Sequence, residues 1–298
     1  MSQKRQIIAI AGVGGLGQYI CQELSADGRF TVIVLTRQGN LPLTFRNTTI
    51  HKTDYTEPSL IGIFNATGAT TLISTLNCPN DDYLPLHTSL LSACLNSITC
   101  KRFIPSEWGG NIDDFPNLPR AYGRTRAPFR DILQQTKADA SDTGNKIEYT
   151  LINHGWCMEY FLPEGKSYRK HCPGEFPVDV NKWEYVVRGT GEEKQAWTCG
   201  RDVARGVKEL LLVDEWPPAR PLTRVHRPLA EINASLQKYK DQPNSIELAI
   251  AEAEEWGVSG ATACPKEKAL RQQACYFSRL KFMTIEDMLN KAETEGFV

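Results

Sequence analysis

Short apolar runs rich in β-branched residues alternate with stretches of helical periodicity through the first half of the chain. The runs predict strands near residues 6–11, 31–36, 48–51, 70–75, 101–105 and 148–153, and the stretches between them predict helices near 15–26, 57–65, 81–97 and 119–136. Strands separated by helices cannot close as hairpins, so the alternation predicts βαβ units and a parallel sheet, an α/β fold of the doubly wound kind. After about Phe161 the pattern breaks up. Two β-rich runs flank a Gly189-Thr190-Gly191 turn, residues 202–212 (DVARGVKELLL) form an amphipathic helix, prolines cluster in 215–222 (EWPPARPL), and the remainder is largely helical. Residues 1–160 are therefore read as one domain and 161–298 as a smaller, mixed α+β region capping the open edge of the sheet.

Charge and composition narrow the partners. Lys plus Arg (34) almost cancels Asp plus Glu (35), so no net field draws the 298-residue chain to nucleic acid or to an anionic membrane. A small, roughly neutral ligand is expected, on a monomer or homodimer. No apolar run reaches the roughly 18 to 20 residues that span a bilayer, and MSQKRQ passes straight into a strand, so a cytoplasmic protein is expected. The nine cysteines (Cys21, Cys78, Cys94, Cys100, Cys157, Cys172, Cys199, Cys264, Cys275) form no C-x-x-C pair and read as reduced core thiols, with no metal site. The N-x-[ST] matches at Asn47, Asn65 and Asn233 read as chance.

Directly after the apolar run IIAIA come Gly12, Gly14, Gly15 and Gly17, of which three fit G-x-G-x-x-G at a strand-to-helix junction. A dinucleotide's pyrophosphate needs bare main-chain N–H groups at a helix N-terminus, where a Cβ would obstruct it and the helix dipole favours negative charge. This predicts a Rossmann domain. The second strand ends in Arg37, where an acidic residue would bind the ribose hydroxyl of NAD; an arginine suits the extra phosphate of NADP(H). Asp54, after the third strand, has two readings: a hydrogen-bond acceptor for adenine, or a cap for the helix beginning near Pro58.

The segment KRFIPSEWGG (101–110) resembles the stretch after the fifth strand of the NmrA-like, isoflavone reductase-like proteins, a branch of atypical short-chain dehydrogenases. EYTLINHGWCMEYFLP (148–163) is similar to that family's sixth-strand segment, and RGTGEEKQAWT and GRDVARGVKELL carry a looser likeness. The resemblance implies NADP(H) along the strand ends and a C-terminal part closing over an aromatic or alkaloid-like substrate. Carried over by position, Leu16, Gly17, Arg37, Thr75, Leu76 and Ser106 line the cofactor, and the loop 74–79, with Asn77, runs beneath its nicotinamide end. Gly155 stands where the family often has asparagine, which leaves only a backbone contact.

The chain departs from the family at its catalytic lysine. The spacing RAPFRDIL puts Arg126 there, and a guanidinium keeps its proton at any working pH, so it can stabilise charge but not shuttle protons. Four residues earlier stands Tyr122, read either as a proton donor assisted by Arg126 or as plain packing. Pro128 predicts that the helix begins nearby, with Tyr122 in the preceding loop. His154, at the end of the sixth strand, is read either as a proton carrier poised near neutrality or as a structural histidine. Trp156, Met158, Tyr160 and Phe161 offer flat, soft walls for an aromatic guest, about half of them core, and Glu107 and Trp108 are further substrate contacts. Asp113 and Asp114 read as a solvated turn, His87 as structural, and His51, His171 and His226 carry no partner spacing.

Together these features predict an NADP(H)-dependent reductase of a conjugated C=N or C=C in a bulky aromatic or indole-alkaloid-type secondary metabolite. Two competitors follow from the missing lysine: a cofactor-dependent, redox-neutral isomerase or cyclase, cycloaddition included, and a non-catalytic NADP sensor.

Overall fold

The computed structural model describes residues 5–38, 41, 45–78, 80–143, 146–170, 174–179, 182, 184–187, 189–216, 236–242, 245–263 and 266–298. His171, Cys172, His226, Asn233, Cys264, Pro79 and most of the proline cluster lie outside the described residues. The chain divides into two compact units: residues 1–107, 128–152 and 207–219 form one, and 108–127, 153–206 and 220–298 the other.

In the first unit six strands form one parallel sheet: β1 (Gln6–Ala11), β2 (Phe30–Thr36), β3 (Thr48–Lys52), β4 (Thr71–Ser74), β5 (Arg102–Ile104) and β6 (Glu148–Tyr149). Their order is β3-β2-β1-β4-β5-β6, the doubly wound arrangement, so the chain reverses direction across the sheet between β1 and β4. The sequence of β2, FTVIVLT, is almost wholly buried, as expected of a strand covered on both faces. Alternation along the strands sends Ala9, Ala11, Ile33, Leu35, Leu72 and Phe103 into one core. Helices α2 (Glu57–Thr67), α3 (Asn80–Asn96) and α5 (Arg126–Thr143) meet them there through Leu60 and Phe64, Leu90, and Phe129 and Leu133. Helix α1 (Gly15–Ser25) buries Tyr19, Ile20, Cys21 and Leu24. Burial raises the Cys21 thiol to about 12, so it stays protonated.

Two predicted elements come out differently. Strand β6 is two residues long because after Tyr149 only Thr150 still reaches β5, donating to the Phe103 carbonyl at 3.3 Å. The helix expected over 119–136 is two helices, α4 (Arg120–Arg124) and α5, separated by Thr125 at φ −128° and ψ −75°. Tyr122 therefore lies on a helix and not in a loop, and Pro128 is accommodated in the first turn of α5, where its missing N–H costs nothing.

In the second unit β7 (Trp156–Cys157) pairs in parallel with β10 (Trp197–Thr198), and β8 (Val178–Asp179) pairs antiparallel with β9 (Glu184–Tyr185). The two runs flanking the glycine turn thus find separate partners rather than each other. The turn itself is held by Glu193, which accepts from the Thr190 and Gly191 N–H groups at 2.8 and 2.9 Å. Helix α6 (Gly200–Leu211) follows β10; α7 (Ile246–Val258), α8 (Lys266–Tyr276) and α9 (Ile285–Glu295) make up the helical remainder. No helix among the described residues is long and apolar enough to cross a membrane.

Candidate functional site

The three glycines of the fingerprint differ in what they do. Gly12 ends β1 at φ +89°, a left-handed backbone, with the Thr75 and Leu76 main chain 3.2 Å from where a Cβ would stand. Gly17 packs α1 against the loop so closely that a Cβ there would lie 2.3 Å from the Gly12 carbonyl and 2.6 Å from Thr75 Oγ1. A Cβ on Gly14 would meet nothing within 4 Å. Gly14 is the N-cap of α1, with no side-chain cap and no acidic residue in the first turn, which begins at Gly15 and Leu16. The first-turn N–H groups have no acceptor inside their own helix, so this end presents an uncapped, electropositive cradle. Those features fit a diphosphate.

At the end of β2 the exposed Arg37 lays its guanidinium over the Tyr55 ring, 5.4 Å from its centroid, and pairs with no carboxylate among the described residues. Tyr55 is a firm shelf. Its backbone stands at φ +65° and its hydroxyl donates to the Leu35 carbonyl at 2.7 Å; burial pushes its pKa up to about 12. Asp54 Oδ1 accepts from the Thr56 N–H (3.0 Å) and hydroxyl (2.8 Å) just ahead of α2, and the side chain stays exposed; the N-cap of α2 is Thr56, with no side-chain cap bond, so Asp54 is not the helix cap.

After β4, Thr75 Oγ1 donates to the Gly12 carbonyl at 2.6 Å and ties this loop to the glycine turn, with Leu76 half-buried and Asn77 exposed. Ser106 is buried and its hydroxyl donates to the Leu76 carbonyl at 2.8 Å, so it braces the loop. Glu107 does not fit the expected substrate contact. It is 3% exposed and grips Arg130 through both carboxylate oxygens, Nε to Oε2 at 2.8 Å and Nη2 to Oε1. His87 is structural as expected: it is fully buried between Ser74 Oγ (3.2 Å) and the Tyr83 carbonyl (3.0 Å).

In the second unit the Arg126 guanidinium lies over the Tyr122 ring, 4.7 Å from its centroid, and Nη1 reaches Thr125 Oγ1 at 3.2 Å. The phenol oxygen of Tyr122 rests against Gly109, where a Cβ would come within 2.3 Å of it. Trp108, at φ +40°, is half-buried next to this contact. Asp113 is paired with Lys268 at 2.7 Å, and Asp114 accepts from Asn111 Nδ2, so neither is the purely solvated turn residue expected.

His154 is fixed by its main chain, its N–H donating to the Gly109 carbonyl (2.9 Å) and its carbonyl accepting from Thr198 Oγ1 (2.7 Å). Its Nδ1 is buried with no hydrogen-bond partner among the described residues. Burial, and then the Arg169 charge, push its pKa down to about 4, which corrects the expectation of an imidazole poised near neutrality. At neutral pH it has no proton to give as an imidazolium. The unfolded chain, with the ordinary value of 6.5, binds the proton first. Stability is therefore complete above about pH 6.5 and is lost as the pH falls toward about 4, by up to about 3 kcal/mol from this group. Urea unfolding at about pH 7 and about pH 4.5 should show a smaller acid loss in His154→Leu than in the parent; equal losses would remove His154 from the account.

Of the predicted aromatic walls, Trp156, Met158 and Tyr160 are core, at 5%, 7% and 2% exposure. Trp156 packs 4.7 Å from Trp256 and donates to Gln195 Oε1 at 3.1 Å. The Tyr160 hydroxyl accepts from Arg169 and donates to Glu175 Oε2 at 2.6 Å. Only Phe161 of the four stays half-buried in the packed cluster, 5.1 Å from both Phe176 and Trp197. Gly155 is required by its backbone: at φ +72°, a Cβ would stand 2.3 Å from the Ala196 carbonyl.

No family model matches the chain. The oxidoreductase swnR of Metarhizium robertsii is 29% identical over 310 residues, covering 95% of this chain and 96% of its own length. That of Arthroderma benhamiae is 28% identical over 305 residues with the same coverage. Among solved structures, the leucoanthocyanidin reductase–NADPH complex from Vitis vinifera aligns at a TM-score of 0.64 and 15% identity, covering 96% of this chain and 98% of that one. A structure from the work on pinoresinol-lariciresinol and phenylcoumaran benzylic ether reductases and their relationship to isoflavone reductases aligns at 0.60 and 14% identity, over 97% and 99%. The chain resembles the NmrA-like, isoflavone reductase-like proteins, and the two fungal oxidoreductases align with it over nearly its full length. It has the Rossmann-like six-stranded sheet, and it carries Arg126 where the resemblance places a lysine.

Reading the resembled pattern alone misses two groups of residues in this chain. Tyr55 supports Arg37 from the loop after β3, and no periodicity marks it beyond its place after Asp54. Glu252 and Glu255 grip α4 from α7, some 130 residues away in the chain, with no local signal at all.

Proposed function

We propose that this chain is an NADP(H)-dependent oxidoreductase acting on a conjugated C=N or C=C of a bulky aromatic or indole-alkaloid-type metabolite. The observation that carries the reading is the uncapped start of α1 beneath an unobstructed Gly14, together with an Arg37 that no described carboxylate neutralises. The α1 amides would hold the pyrophosphate, Arg37 the 2′-phosphate, and Thr75, Leu76 and Asn77 the nicotinamide end. When bound, the cofactor supplies or accepts the hydride. On this reading Arg126 stabilises negative charge that develops on the substrate, and the Tyr122 phenol supplies the proton. His154, neutral at working pH, orients rather than donates.

The fungal oxidoreductases that align over nearly the full chain support an enzyme, and the NADPH complex of the leucoanthocyanidin reductase supports the choice of nucleotide. Arg126 favours a second version, in which the same site isomerises or cyclises its substrate without net redox change, because a permanent cation stabilises charge but does not relay protons. Incubation with NADPH or NADP⁺ and candidate alkaloids, followed by the NADPH absorbance and product mass, separates the versions. Net NADPH oxidation supports the reductase, and a cofactor-requiring product of unchanged mass supports the cyclase. Tight cofactor binding with no product from any candidate would point to a sensor.

Arg37→Ala should weaken NADP(H) binding by about 1.5 to 3 kcal/mol and leave NAD(H) binding nearly unchanged, since only the former has a phosphate for the guanidinium. Calorimetric titration of both nucleotides checks this, and equal losses for the two would contradict the assignment.

A further inference from the structure

Helix α4, which carries Tyr122, is five residues long, buries none of its side chains, and begins at Pro119 without a side-chain cap. A helix of little more than one turn does not hold itself. Its missing cap comes from elsewhere in the second unit. Glu252 Oε2 accepts from the Ala121 N–H at 3.1 Å, satisfying a first-turn amide immediately before Tyr122, and Oε1 accepts from Arg124 Nη2 at 2.6 Å. One turn further along α7, Trp256 sets its ring 6.3 Å from that of Tyr122 at 50°. The grip of Glu255 on Arg120, at 2.7 and 2.8 Å, is bidentate but reaches a side chain 43% exposed, where water screens it. Glu252 is 4% exposed, so its bond to the Ala121 N–H acts at low dielectric, whereas its bond to Arg124, a side chain 41% exposed, is screened as that of Arg120 is.

We propose that Glu252 is the positioning residue that fixes Tyr122 beneath Arg126, an assignment that rests on the reading of Tyr122 as proton donor. The Glu252 hydrogen bonds go to the Ala121 N–H and to Arg124, on either side of Tyr122 in α4. Glu252 acts by fixing the turn from which the phenol projects, and through that turn the separation of phenol and guanidinium.

The test places a single fluorotyrosine at position 122 of the full chain and follows its fluorine resonance through a pH titration, using this probe alone. The quantity read is the rise in midpoint that Arg126→Leu produces, because loss of the Glu252 carboxylate by itself lowers the phenol's midpoint and that direct effect cancels when the two arginine states are compared in one background. This rise is expected to fall by half or more in Glu252→Ala, by less in Glu252→Gln, and to stay as in the parent in Glu255→Ala. An undiminished rise in a Glu252→Ala protein with the parent's circular dichroism would overturn the proposal. If the alanine variant does not fold, the isosteric Glu252→Gln decides by the same criterion. The experiment contains no nicotinamide nucleotide, so failure of the parent protein to bind NADPH would sink the proposed function without altering this result.

Discussion

Gly14→Val should yield a folded protein that has lost at least about 100-fold in NADP(H) affinity, roughly 2.7 kcal/mol. Gly14 has φ −72°, which any residue adopts, and its missing Cβ would meet no protein atom within 4 Å. Nothing inside the chain therefore explains the glycine. On the proposed function the reason lies outside it: valine methyls would occupy the space of the diphosphate and shield the helix amides. The cost to folding is about 1 kcal/mol or less, that of a poor N-cap residue. Gly17→Val is the contrasting case. Its Cβ collides with the Gly12 carbonyl at 2.3 Å, so α1 must move, and both thermal stability and binding should fall. Thermal melts paired with calorimetry separate the two, and a normal titration by Gly14→Val would refute the assignment of this loop.

Arg130→Ala should destabilise the protein by about 3 to 5 kcal/mol, the largest stability effect anticipated from a single side chain here. Arg130 and Glu107 have side chains 11% and 3% exposed and share a fork of two bonds, so alanine leaves a buried carboxylate without its guanidinium. The double variant Glu107→Leu/Arg130→Met should recover most of the loss, because replacing both partners by packed apolar groups removes the desolvation penalty along with the pair. Urea titrations measure this as a displaced midpoint at unchanged slope. A loss under about 1 kcal/mol in Arg130→Ala would mean that other contacts hold Glu107.

The central sheet was readable from sequence because its signal is local: apolar runs at strand length, separated by helical periodicity, admit little besides a parallel sheet. The glycine loop was readable because its spacing encodes a geometric need. What the sequence concealed depends on partners distant in the chain. Pro128 marks a helix start near Arg126, but nothing in the sequence marks the short helix that ends at Thr125, and nothing near Tyr122 announces Glu252. Trp156, Met158 and Tyr160 looked like walls because they follow a strand end, but β7 and the 3-10 turn Met158–Phe161 direct them into core packing. Which of the two readings of His154 holds was hidden for a related reason: an imidazole's acidity is set by burial and by a charge fifteen residues away, neither of which a sequence displays.

Gly109 gives the tyrosine pose an outward sign. Because even one methyl at that position would intrude on the phenol oxygen, a larger residue there and a tyrosine in this orientation exclude each other. A homologue that carries both must have swung its hydroxyl aside and given up whatever that oxygen does in this chain, so position 109 alone can sort sequences that retain the arrangement from those that have abandoned it.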